Sequence, residues 1–225
     1  VELFVVSQAW RTAYPGAAAG VLAMGGVANP DHHSALEKVK AELEQQIRGR
    51  FASREEVRGQ ERLQAYKAYY RRFKKTYHVQ MQLESVALMG KSIPRVAALV
   101  EAMFMAELKN QLLTAGHDLD AIQVPAKLDI AQGTEFYTRL NGQGQQLKAG
   151  DMFIADARGI LSAVIYGPAQ YASIVPTTRR ALFTVYAPPG IGKEAVAEHL
   201  RDIEMFVRLI APEAETELSR VAGTD

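Results

Sequence analysis

The chain contains no cysteine. Disulfides, thiolate nucleophiles and cysteine-ligated zinc are therefore excluded. No run of eighteen apolar residues occurs, so no membrane-spanning helix is expected. The early LFVV run is too short for a signal-peptide core and has no basic segment before it. These absences fit a cytoplasmic protein. Net charge is scarce too: 26 Lys and Arg face 25 Asp and Glu, a formal +1, so bulk charge does not mark a nucleic-acid binder. Neither a GxSxG nucleophile elbow nor an HExxH pair is present. The phosphate-loop look of PPGIGKE at 188–194 fails on two residues. Ala187 stands where the first glycine belongs, and Glu194 replaces the hydroxyl that would hold magnesium. The histidines are scattered at His32, His33, His78, His117 and His199. A mixed set from His117, Asp118 and Glu135 is the one metal arrangement weighed, and the expectation is no metal and no cofactor.

What remains is 225 residues, 48% of them hydrophobic, enough for one sizeable core. Apolar spacing predicts a helix from Ser34, with Ser34 and Glu37 as a capping box and Leu36, Val39, Leu43 and Ile47 on one face. Ser53 and Glu56 repeat the device before a helix running to about Tyr70. Ser85 to Met89 reads as a short helix or turn, and Pro94 as the first turn of a long buried helix. Extended candidates follow: IQV, LDIA, FYTRL, MFIAD, ILSAVIYG and ALFTVYA. A helix carrying Val196, Leu200, Ile203, Phe206, Val207 and Ile210 closes the chain, and the acidic tail is expected to fray. The class is α+β in one body over 1–225. Residues 1–116 are helix-rich, 117–190 strand-rich, and 192–211 form the closing helix.

Charge is concentrated at 48–75, where ten basic residues meet three acidic ones, a local +7. Arg54, Arg58 and Arg62 are four apart and share one face of a continuous helix. Lys67, Arg71, Arg72, Lys74 and Lys75 continue the run, interleaved with Tyr66, Tyr69, Tyr70 and Tyr77. Two accounts fit. The patch tracks an RNA backbone with tyrosines near bases, or it is a solvated face over core tyrosines.

Polar groups also crowd the end of the long helix and the turn after it: Glu107, Lys109, Asn110, His117, Asp118 and Asp120, with Glu135 following Gly133-Thr134. A histidine can orient or activate water, and a carboxylate can take its proton or bind an ammonium. The competing account makes Asp118 a turn cap, His117 a helix end and Glu135 surface.

Taken in order, several stretches resemble a known family. They are YPGAAAGVLAMGGVAN at 14–29, YKAYYRRFKKTYHVQMQLES at 66–85, KSIPRVAALVEAMFMAELKNQLLTAGHDLDAI at 91–122, GTEF at 133–136, AGDMFIADARGILSAVIYG at 149–167 and PTTRRALFTVYAP at 176–188. The series is similar to the free-standing form of the B3/B4 domain of the bacterial phenylalanyl-tRNA synthetase beta chain. The resemblance implies a β-sandwich of unusual topology packed against helices. It also implies a trans-editing deacylase that hydrolyses the ester of mischarged tRNA, with canavanyl-tRNA for arginine as one candidate. Alternatives are a non-catalytic RNA-binding module and a small-molecule binder or hydrolase. On the deacylase reading His117 orients water, Glu135 holds the substrate amine and Asn110 adds polar orientation. Glu107 and Asp118 would face a cationic side chain, with Asp120, Tyr137 and Tyr166 as further substrate contacts. Arg54, Arg58, Arg62, Lys67, Arg71, Arg72, Lys74 and Lys75 would hold the acceptor end of the tRNA.

Overall fold

The structure, a computed structural model, describes residues 2–223. The fold is α+β. One sheet has the order β1 (Phe4–Val6), β4 (Ala126–Ile130), β7 (Met152–Ala155), β8 (Ile160–Ala163), β9 (Gly167–Pro168). Its β1–β4 pair is parallel and its other pairs antiparallel. A second, wholly antiparallel sheet has the order β11 (Glu215–Gly223), β2 (Ala18–Gly25), β10 (Arg180–Ala187), β3 (Thr114–Asp118). A hairpin of β5 (Phe136–Thr138) and β6 (Gly144–Gln146) stands apart. The helices are α1 (Gln8–Ala13), α2 (Ser34–Arg50), α3 (Arg54–Arg58), α4 (Glu61–Arg71), α5 (His78–Met89), α6 (Ala98–Asn110) and α7 (Lys193–Ile210).

Residue type explains the layering. The β2 sequence AAGVLAMG is buried along nearly its whole length, and its small residues let α7 lie close. A Cβ on Gly20 would come within 2.6 Å of Val196 Cγ1. Helix α7 presents Val196, Leu200, Ile203 and Val207 inward, the spacing of an amphipathic face. Helix α6 is apolar on most sides because α2, α5, α7 and β3 all pack against it.

Several local expectations give way to tertiary structure. Ser34 is the first helical residue of α2 and caps nothing, and Glu37 turns to Lys40 at 2.6 Å. Ser53 does cap: its Oγ accepts the Glu56 N–H at 3.2 Å, while Glu56 reaches back to Ala52 N–H at 2.8 Å. The helix it starts ends at Gly59, so one expected helix becomes α3 and α4. The Ser85–Met89 segment is the last part of a twelve-residue α5. Helix α6 begins at Ala98, not Pro94. It ends because Gln111 adopts φ 62°, so GHD lies in β3 and not in a turn. The IQV stretch is not a strand, and the acidic tail is β11, paired along β2.

Candidate active-site cavity and the nearby basic segment

An apolar cavity of about 450 Å³ opens where the two large sheets meet under α6. Val100, Met103, Phe104 and Glu107 lie on one face of α6, the spacing of a single helical stripe. Strand β3 adds Thr114 to Gly116, and Ala163, Gly167 and Pro168 come from the edge of the other sheet. Gly116 keeps the space open, since a Cβ there would sit 2.8 Å from Ile174 Cδ1. Val96 and Leu140 stand exposed at the rim. The size falls within the roughly 300–1,000 Å³ range of small-ligand sites.

The polar groups in this wall are few. Glu107 is 2% exposed, and its carboxyl accepts one hydrogen bond, from the Thr114 N–H at 2.7 Å. Among the described residues no cation pairs with it. Burial pushes its pKa up to about 8, against which the Thr114 N–H acts only weakly, so near neutrality it is mostly the uncharged acid. Across the cavity the Tyr186 hydroxyl meets Ser162 Oγ at 2.5 Å, and Ser162 Oγ lies 3.1 Å from His117 Nε2.

The expected residues are not gathered at this cavity. His117 is 0% exposed on β3, behind Ser162 and Tyr186. Burial lowers its pKa to about 4. The Ala172 carbonyl opposes this from nearby but makes no well-formed bond to Nδ1. Glu135 staples its own loop: its carboxylate accepts the N–H groups of Gln132, Gly133 and Thr134 at 2.9–3.1 Å. Burial pushes the Glu135 carboxyl up, yet these backbone donors together hold it below its ordinary value. Neither residue lines the cavity. Asn110 ties α6 to α7, donating to Asp202 at 2.7 Å with His199 Nδ1 at 3.3 Å. It borders a separate polar cleft with Arg62 and Lys109. Asp118 caps the short 3₁₀ turn and accepts from Thr178 Oγ1 at 2.7 Å. Asp120 pairs with Arg180 at 2.9 Å. Tyr137 is buried, with its hydroxyl on the Gly167 carbonyl at 2.8 Å, and Tyr166 lies beneath Lys75 with the ammonium 6.0 Å from the ring. Of the expected substrate contacts, only Glu107 faces the cavity.

The basic segment divides in the same way. The break at Gly59 takes Arg62 off the face of Arg54 and Arg58. Those two grip Glu84 at 3.1 and 3.0 Å, while Arg62 donates to the Asn110 carbonyl at 3.0 Å. Arg72 bonds the Tyr14 hydroxyl at 2.9 Å. Tyr66, Tyr69, Tyr70 and Tyr77 are buried and bond internal groups, so none is a platform for bases. Lys67, Arg71, Lys74 and Lys75 remain exposed, and among the described residues none of them forms an ion pair. The Lys74–Lys75 turn leads directly into α5, whose first residue, His78, lines the cavity. His78 is exposed at the rim on one side, while its other side stands nearly perpendicular against the Tyr70 and Tyr77 rings, and the protein packed around that inner side lowers its pKa by desolvation. Sequence reasoning assigned His78 no role. The only available signal was a histidine three residues after a lysine pair.

Among the described residues no three His, Asp or Glu side chains are grouped to hold a metal ion. Among them, too, no helix is long and apolar enough to cross a membrane. No protein-family model matches the chain. No curated protein matches it either. Among solved structures, the chain is similar to an N-terminal fragment of the phenylalanyl-tRNA synthetase beta-subunit from Pyrococcus horikoshii. The TM-score is 0.49 and the identity 11%, over 98% of this chain. The chain spans about half the length of that fragment. At this distance the likeness carries no residue correspondence.

Proposed function

We propose that the chain hydrolyses the ester of mischarged tRNA in trans, with the amino-acid side chain in the apolar cavity and the tRNA 3′ end along the exposed basic stretch that precedes His78. One observation carries this reading: a ligand-sized apolar cavity has His78 on its lip, and the exposed pair Lys74 and Lys75 precedes that histidine by only a few residues. An aminoacyl ester is already activated, so positioning and modest acid–base help suffice. His78, favouring its neutral form, takes a proton from the attacking water. The water oxygen bonds to the carbonyl carbon, the ester C–O bond breaks, and the ribose oxygen leaves with a proton. Lys74, Lys75, Lys67 and Arg71 face the phosphates. His117 and Glu135 support the architecture and do not touch substrate. A canavanyl side chain is not favoured, because the second acid it would need, Asp118, is bonded to Thr178 and does not line the cavity. A binder or hydrolase of a free small molecule is the second reading. The burial of His117 and the full engagement of Glu135 favour it, since they leave the cavity with few reactive groups.

The test is a panel of mischarged tRNAs, with release of the amino acid followed over time. Turnover is expected for at least one, reduced about a hundredfold or more by His78→Ala, the range general acid–base groups contribute. No turnover across the panel, or turnover indifferent to His78→Ala and to charge reversal at Lys74 and Lys75, overturns the assignment.

A further inference from the structure

We propose that Glu107 is the specificity-determining residue of the cavity, its carboxyl hydrogen-bonding one polar atom of an otherwise apolar, uncharged ligand side chain. The inference rests on the reading of this cavity as the ligand site, but not on ester hydrolysis.

A buried carboxyl ordinarily has an ion pair or several hydrogen bonds. Other buried acids here follow that rule. Glu101 meets Lys40 at 2.6 Å and the Val96 N–H at 2.8 Å. Asp151 accepts from Tyr69 at 2.6 Å, from Ile165 at 3.2 Å and, through Tyr69, braces Met152. Glu107 has the Thr114 N–H alone, on Oε1, and it faces an apolar cavity. A core that wanted only packing would place leucine there. Thr114 is itself held: its Oγ1 lies 2.6 Å from His199 Nε2, which fixes the strand that orients the carboxyl.

The surroundings decide which form of the acid acts. From α4, Tyr66 and Tyr70 lie near enough for Glu107 to raise their pKa values, as does Tyr77 ahead of α5. From α5, His78 faces the cavity, and Tyr186 faces it from β10. From α7, His199 touches Glu107 only through Thr114, and burial keeps it neutral with a pKa of about 3. Arg62 is turned to the Asn110 carbonyl. Among the described residues no lysine or arginine lines the cavity. Desolvation therefore governs, and Glu107 offers an O–H donor to its contents. A guanidinium or ammonium side chain would have to ionise the acid and lose its own water in an apolar pocket. An uncharged side chain with one acceptor does neither.

Benzamide, benzamidine and toluene test this, because they are close in shape and differ in charge and polarity. Binding is read from the methyl resonances of Met103 and Ile174, in the full chain at pH 6.5. Benzamide is expected to bind about tenfold more tightly than either competitor, the effect of about one well-made hydrogen bond. Glu107→Leu abolishes the advantage over toluene. Glu107→Gln, which keeps a donor, retains it. Raising the pH through about 8 weakens benzamide and strengthens benzamidine. Benzamidine binding more tightly than benzamide at pH 6.5 overturns the inference. So does an unchanged preference in Glu107→Leu, or no binding of any probe. Deacylation is scored separately: discrimination without turnover sinks the proposed hydrolysis alone, and turnover without discrimination sinks this inference alone.

Discussion

Replacing Glu107 by glutamine should change how stability depends on pH. The ordinary carboxyl value is 4.5, and in the folded protein it is about 8. Between these values the folded chain keeps a proton that the unfolded chain has lost. Stability from this group is thus fully present below pH 4.5 and falls as pH rises to about 8. At roughly 1.4 kcal/mol per pH unit, the interval sets a ceiling of about 5 kcal/mol. Relaxation and water entry into the cavity reduce that, and about 2–4 kcal/mol is the expected loss. Glutamine keeps an acceptor for the Thr114 N–H and cannot ionise. Urea unfolding at pH 5, 7 and 9 measures the difference, with the m-value held as a check on two-state behaviour. Wild type should weaken across the series relative to Glu107→Gln, and the variant should be the more stable protein at pH 9. Parallel pH profiles for the two proteins would refute the claim that an uncompensated carboxyl faces this cavity.

Charge reversal of Lys74 and Lys75 together should weaken tRNA binding by about tenfold or more at moderate salt and flatten its salt dependence, as measured by filter binding. Reversal of Arg54 and Arg58 should instead act through stability, because both arginines hold Glu84. Glu135→Ala should cost about 0.5–1.5 kcal/mol in thermal or urea unfolding, since it releases three solvent-accessible loop N–H groups to water, while turnover by folded protein is unchanged. On the acid side, burial lowers His117 to about 4 and His199 to about 3. Their contribution is present above the ordinary histidine value of 6.5 and is lost as pH falls toward those values, opposite in sign to Glu107. His199→Gln should flatten the acid limb of the stability profile measured by denaturant unfolding.

Much of the architecture was legible along the chain. The α+β class followed from helical spacing early and extended runs late, and the interior stripe of α7 was readable residue by residue. The burial of α6 followed from its lack of a polar face. These are consequences of local periodicity, which backbone geometry imposes within a few residues. Boundaries were harder, because Gly59 ends α3 and the αL turn at Gln111 ends α6 through backbone conformations that composition only suggests. The site was least legible. His117 and Glu135 have the chemistry of a reactive pair, yet strand alternation and packing bury one, and backbone N–H groups engage the other. The basic run looked continuous, but a helix break and an opposing glutamate engaged Arg54, Arg58 and Arg62 in internal contacts and left only part of the run unpaired. Residue order therefore determined which elements form and which faces turn inward. Tertiary structure alone decided that Glu107 and His78 border one cavity, because that depends on how α6, α5 and two sheets are brought together from distant parts of the chain.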